Sequence, residues 1–121
     1  MKKTVKFGGE DRVFEANLGT ADLYQMLTGD NLFEQLSKYQ NAKANDPTAT
    51  RVIDVYKRLA YVMYTQAETS DIPTLRGKMD LDNYLAWTFQ FEADDFTPAF
   101  TKEIAAIWRS SNRTNSTSKN P

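Results

Sequence analysis

The chain contains neither cysteine nor histidine. Without thiols there is no disulfide framework and no thiolate nucleophile, and without imidazole there is no histidine base and no zinc site of the usual donor set. Long apolar runs are also missing, so no segment approaches the length that crosses a bilayer. Met1-Lys2-Lys3 is followed by no apolar stretch of the kind a secretory leader carries, so the cytoplasm is the expected compartment. Charge of one sign is lacking as well: 15 Lys and Arg are set against 16 Asp and Glu, for a net charge of −1. The bases are scattered among the acids, and Arg109, Arg113 and Lys119 read as a solvated basic end. Neither nucleic acid nor membrane is expected as a partner.

The remaining routes to catalysis are thin. Gly8-Gly9 is followed by no Lys-Ser pair and no helix start, so it is no phosphate cradle. Glu92, Asp94 and Asp95 cluster, and Asp80 and Asp82 lie two apart, but neither group has the spacing of a calcium loop. Helix caps and solvated turns account for them. No catalytic residue, cofactor or metal is expected, and the chain does not read as an enzyme.

What the sequence does have is clear periodicity. Val5 and Phe7 alternate with Lys6, and Phe14, Ala16 and Leu18 alternate with Glu15 and Asn17, which places each set on one face of a strand. Gly8-Gly9-Glu10-Asp11 between them is a turn, giving a hairpin over Lys3–Leu18. The period then changes. Leu23, Met26 and Leu27 recur at helical spacing, Gly29 supplies a stop, and Asp30 is placed to cap a second helix with Leu32, Phe33, Leu36 and Tyr39 on its apolar face. A polar linker, 41–45, leads to Asp46-Pro47, a cap followed by a proline in the first turn. The helix from Pro47 to Thr69 carries two adjoining apolar stripes: Ile53, Tyr56, Ala60, Met63, Tyr64 and Ala67, and then Val52, Val55, Leu59 and Val62. Burial over so wide an arc makes it the central helix.

Ser70-Asp71-Ile72-Pro73 breaks that helix, and a loop with one turn at Thr74-Leu75-Arg76 is expected through Gly77. Asp80 caps a fourth helix carrying Leu81, Tyr84, Leu85, Thr88 and Phe89. Thr97-Pro98 opens a fifth, with Phe100, Ile104, Ile107 and Trp108 on its face. Beyond Arg109 no apolar residue offsets the entropy of ordering, so disorder is expected. The fold class is therefore α+β, mostly α: an N-terminal β-hairpin, about five helices and a disordered C-terminal tail. Residues 1–109 form a single α-rich domain and 110–121 a disordered polar tail.

Aromatic residues are in surplus in the second half of the chain. With Leu81, Tyr84, Leu85 and Thr88 turned inward, Trp87 and Phe91 fall on another side of the fourth helix. They form either a second buried face or an exposed anchor for a partner. The candidate partner-binding residues are accordingly Leu32, Phe33, Trp87, Phe91 and Phe96.

The string Thr28-Gly29-Asp30-Asn31-Leu32-Phe33, set between a hairpin and a helical body, resembles the equivalent segment of the tail assembly chaperones of long-tailed, siphovirus-type bacteriophages and prophages. The likeness in layout covers nearly the whole chain. It implies a non-enzymatic protein of the host bacterial cytoplasm that binds and solubilises the tape-measure protein before the tail tube polymerises. The tape-measure protein is the implied partner, with the tail tube protein as a further one. Two other classes remain open: a structural head–tail connector or tail completion protein retained in the virion, and an unrelated regulatory helical module. Unpaired hairpin edges add an expectation of weak, concentration-dependent homo-oligomers. The family is also often made in two lengths by programmed frameshifting. Ser118-Lys119-Asn120 is compatible with the codons UCA-AAA-AAC, which contain a −1 slippery heptamer, and equally with an ordinary polar tail.

Overall fold

The computed structural model describes residues 1–39 and 49–117. Two antiparallel strands, β1 (Lys2–Phe7) and β2 (Glu10–Glu15), come first. They are followed by α1 (Thr20–Thr28), α2 (Leu32–Tyr39), α3 (Ala49–Glu68), α4 (Ile72–Lys78), α5 (Leu81–Thr88) and α6 (Pro98–Thr117), with a single 3-10 turn, Ala93–Asp95, before α6. The class is thus mostly helical α+β, with six α-helices among the described residues rather than about five.

Gly8 and Gly9 close the hairpin with φ of 65° and 82°. Positive φ at both central positions is the type I′ arrangement, whose twist matches that of the flanking strands. Phe7 therefore pairs with Glu10, and the register runs back to Lys2 opposite Glu15. Period two then sorts the side chains. Val5, Phe7, Phe14 and Ala16 are buried, Phe14 completely. The expectation fails at Leu18, which is 85% exposed. The strand has already ended, because the Asn17 side chain turns the chain: its Oδ1 accepts from the Gly19 N–H at 2.9 Å, and its own N–H donates to Thr20 Oγ1.

Central α3 packs chiefly on β2 and also touches α1, α2 and α6. Val55, Leu59, Ala60, Val62 and Met63 are buried along it, whereas Ile53 lies 47% exposed near its start. A small polar cluster fixes its far end to α1. Thr20 Oγ1 donates to Gln66 Oε1 at 2.7 Å, and Gln66 Nε2 donates to Asn17 Oδ1 at 2.9 Å.

Helix ends follow side-chain capping. Gly29, with φ of 79°, stops α1, and its N–H donates to Gln25 O at 2.8 Å. Asn31 rather than Asp30 caps α2, accepting from the Glu34 N–H at 3.0 Å. The stretch expected to be a loop with one turn is a full helix, α4: Asp71 accepts from the Thr74 N–H at 3.0 Å and Pro73 sits in the first turn. Asp80 caps α5 through the Asn83 N–H, and Thr97 caps α6 through the Phe100 N–H. Helix α6 runs to Thr117, past Arg109, where the polar composition predicts disorder. No glycine or proline interrupts 99–117, and Ser111 continues the buried stripe of Ile104, Ile107 and Trp108. The linker 41–45, the Asp46-Pro47 cap and Ser118-Lys119-Asn120 lie outside the described residues.

Candidate functional site

Phe7 is the hub of the aromatic core. Its ring stacks on Phe100 at 4.2 Å and on Trp87 at 5.7 Å, and meets Phe91 at 4.5 Å and Phe96 at 6.4 Å. Trp87 also contacts Tyr61 at 5.5 Å and Tyr64 at 5.8 Å. This cluster settles the two alternatives for α5. Trp87 is 6% exposed and Tyr84 is equally buried, so the large rings face inward. Phe91 is half-buried and lies against the hairpin turn, under the Arg12 guanidinium, which is 4.9 Å from its ring centre. The physical reason is area: two wide rings on one side of a short helix bury more apolar surface than the leucines on the other.

The five expected partner-binding residues therefore part company. Leu32 and Trp87 are core and unavailable to a partner, which corrects the expectation for both. Phe33 is 53% exposed, against Trp108 at 5.4 Å, and edges a cleft of about 440 Å³ with Leu36, Val52 and Tyr56. Phe91 and Phe96, both half-buried, line a separate cleft of about 210 Å³ with Ile53, Lys57 and Thr88. The structure does not bring Phe33 together with the other two.

Turning Tyr84 and Trp87 inward turns Leu81, Leu85 and Phe89 outward. They are 59%, 37% and 82% exposed. Their spacing of i, i+4 and i+8 makes one stripe along α5, ending on Phe89 at its C-cap. This is the apolar surface that sequence reasoning missed. The surplus was visible, but which side of the helix held it was not. A second apolar surface lies between α1 and α4, where Leu23, Met26, Ile72 and Leu75 line a cleft of about 310 Å³. Met26 and Ile72 there are 53% and 60% exposed. The spacing of Leu23, Met26 and Leu27 does not by itself show that Met26 faces out, and Ile72 lies in the stretch expected to break the helix.

Titration and ligand chemistry are sparse. Burial pushes the Tyr24 hydroxyl up to about 12, against the opposing pull of the Arg58 guanidinium, and pushes Tyr61 up to about 12 as well. Tyr61 donates to Lys78 O at 2.7 Å, a structural bond between α3 and the end of α4. Asp80 and Asp95 serve as caps, and no group of three or more potential metal ligands gathers among the described residues. No helix among the described residues is long and apolar enough to cross a membrane.

Comparison with known proteins returns no matching family model, no matching curated protein and no matching solved structure.

Proposed function

We propose that this chain is a tail assembly chaperone that holds the tape-measure protein of a long-tailed phage in solution until the tail tube forms around it. The observation that carries the reading is the stripe of Leu81, Leu85 and Phe89. A soluble domain gains nothing from leaving three large apolar side chains in line on one helix unless something covers them. A long α-helix with its own apolar stripe fits such a surface by helix-in-groove packing, and repetition along a rod would add avidity. The hairpin, the Thr28–Phe33 corner and the helical body supply the resemblance that points to this particular client.

The test is co-expression with the tape-measure protein that this reading requires in the same gene cluster, followed by pull-down. Wild type should keep the client soluble. The double variant Leu85→Ser and Phe89→Ser should lose it while unfolding at the same urea concentration as wild type. Undiminished solubilisation by the double variant would remove α5 from the client surface. Mass spectrometry of purified particles separates this role from that of a retained connector, since a chaperone is absent from finished tails. The same reading assigns Ser118-Lys119-Asn120 to a −1 slip that appends a second domain, and codons at 118–120 that cannot slip would remove that part.

A further inference from the structure

The hairpin has a free edge with a defined chemistry. Phe7 and Glu10 flank a two-residue turn, so they exchange both ladder hydrogen bonds, and the alternation continues at Val5 with Arg12 and Lys3 with Phe14. Met1 and Ala16 confirm the phase, since each donates its N–H to the other's carbonyl, at 2.7 and 2.8 Å. The N–H and C=O groups of Lys2, Thr4 and Lys6 therefore point away from β2. Among the described residues no other element bonds to them.

This edge meets the body at Lys3, whose Nζ lies 2.8 Å from Glu103 of α6. A groove of about 480 Å³ runs beside it, walled across from β1 by Ala99, Phe100 and Glu103 of α6 and by Asp94 and Asp95. A six-residue strand edge is about 20 Å long. Unpaired main-chain groups over that length select an extended backbone as the occupant, because only a strand offers donors and acceptors at the same repeat.

Charge selects further. Lys2, Thr4 and Lys6 project on the open face, all exposed. On the inner side the same row meets Glu15, Val13 and Asp11, with Lys2 Nζ 3.4 Å from Glu15. A second β1 added antiparallel at this edge, with Thr4 opposite Thr4, would set Lys2 against Lys6, a like-charge pairing that destabilises a sheet. A strand with acids at those positions would meet the attraction that β2 already shows. On the other face of such a strand, side chains would point toward a wall that holds Ala99 and the edge of Phe100 but also Asp94, Asp95 and the Lys3-paired Glu103, so acids are excluded from that row and it should be apolar.

We propose that the outer edge of β1 is a docking site for an extended segment of a partner protein that alternates apolar residues with acidic ones. The proposal is independent of the chaperone reading, and a failure of either leaves the other standing.

The experiment is a titration of the full chain with the end-blocked peptide Val-Glu-Val-Thr-Val-Glu-Val, followed by amide shifts and hydrogen exchange. The Thr4 and Lys6 amides should shift and become protected, and the peptide with lysine in place of glutamate should not bind. Thr4→Pro removes an N–H that the intramolecular ladder does not use, and should weaken binding by about tenfold or more. Lys2→Glu with Lys6→Glu should abolish binding of the glutamate peptide and admit the lysine one, which keeps the test valid if the proline variant fails to fold. No binding at millimolar peptide, or binding untouched by both variants, overturns the proposal. Self-association of the peptide-free chain that Thr4→Pro abolishes would assign the edge to a second copy and overturn the choice of a foreign strand.

Discussion

Trp87 gives the sharpest test of how the second half of the chain is packed. Truncating a buried tryptophan to alanine ordinarily costs about 3–5 kcal/mol through lost transfer free energy and the cavity left behind. Here one term opposes the rest. Trp87 Nε1 is buried with no hydrogen-bond partner among the described residues. Leaving such a donor unsatisfied costs about 1–3 kcal/mol in the folded state, and the truncation removes that penalty. From the middle of each range, the net cost of Trp87→Ala should then be about 2 kcal/mol, still a sizeable share of the roughly 5–15 kcal/mol that holds a typical domain folded. In a chain of this length that lowers the melting temperature by about 6–12 °C. Trp87→Phe keeps the stack on Phe7 and discards the orphaned donor, so it should lie within about 1 kcal/mol of wild type. Phe89→Ala, at a position 82% exposed, should change stability by no more than about 0.5 kcal/mol. Urea unfolding followed by far-ultraviolet circular dichroism measures all three. An unchanged midpoint for Trp87→Ala, or a large drop for Phe89→Ala, would mean that α5 is turned the other way and that Trp87 belongs to the partner surface after all.

Three further outcomes follow from single sites. At Gly8, with φ of 65°, an added Cβ would lie 2.6 Å from Phe91 Cδ1, whereas at Gly9, with φ of 82°, it would meet open space. Gly9→Ala should therefore cost about 1–2 kcal/mol from left-handed strain alone, and Gly8→Ala clearly more, by the same urea assay. Tyr24 and Tyr61 have folded-state values raised from 10.0 to about 12. Their neutral forms are favoured by folding, so that stability is fully present below pH 10 and is lost as pH rises through about 12. Unfolding monitored against pH should show this alkaline loss, and Tyr61→Phe should diminish it. Thr20→Val leaves the buried end of Gln66 and the Asn17 N–H without their partner, and should cost about 1–3 kcal/mol, read as a lower urea midpoint.

Periodicity located the elements but not always their orientation. The hairpin was legible because Gly8-Gly9 and the alternation around it leave few other readings. The central helix was legible because two adjoining stripes must be buried on both sides. The loop expected around Thr74 shows a different limit: Asp71-Ile72-Pro73 ends one helix and starts another by the same cap-plus-proline logic that was applied to Asp46-Pro47. Short helices are easily passed over, since seven residues give too few turns for a stripe to declare itself. On α5 the ambiguity was between two apolar sides, and the spacing of Leu81 and Leu85 could not reveal that Phe7, Tyr61 and Tyr64 wait on the side of Trp87. That choice is made by residues up to 80 positions away, since Phe7 lies beside Trp87. The exposed stripe follows from it: the spacing turns Leu81 and Leu85 inward and leaves Trp87 for a partner, and the fold does the reverse.

The Thr28–Phe33 string carries the resemblance to tail assembly chaperones, and most of it has local work in this fold. Thr28 Oγ1 donates to Tyr24 O at 2.8 Å and accepts from the Asp30 N–H at 3.0 Å. Gly29 takes the left-handed conformation that ends α1, Asn31 caps α2, and Leu32 is wholly buried. Only Phe33 presents a large apolar surface outward, and it does so beside Trp108 rather than beside α5. A left-handed glycine stop followed by an asparagine cap is a common way to end one helix and start the next, so the string by itself argues for the corner and not for the client. In the proposed reading the exposed stripe of α5 holds the client, and the choice of client rests on the resemblance of the whole layout rather than on the string. Replacing Phe33 with alanine should separate the two ideas: solubilisation of the tape-measure protein that survives Phe33→Ala but not the Leu85 and Phe89 substitutions would place the client on α5 and leave the string a structural device.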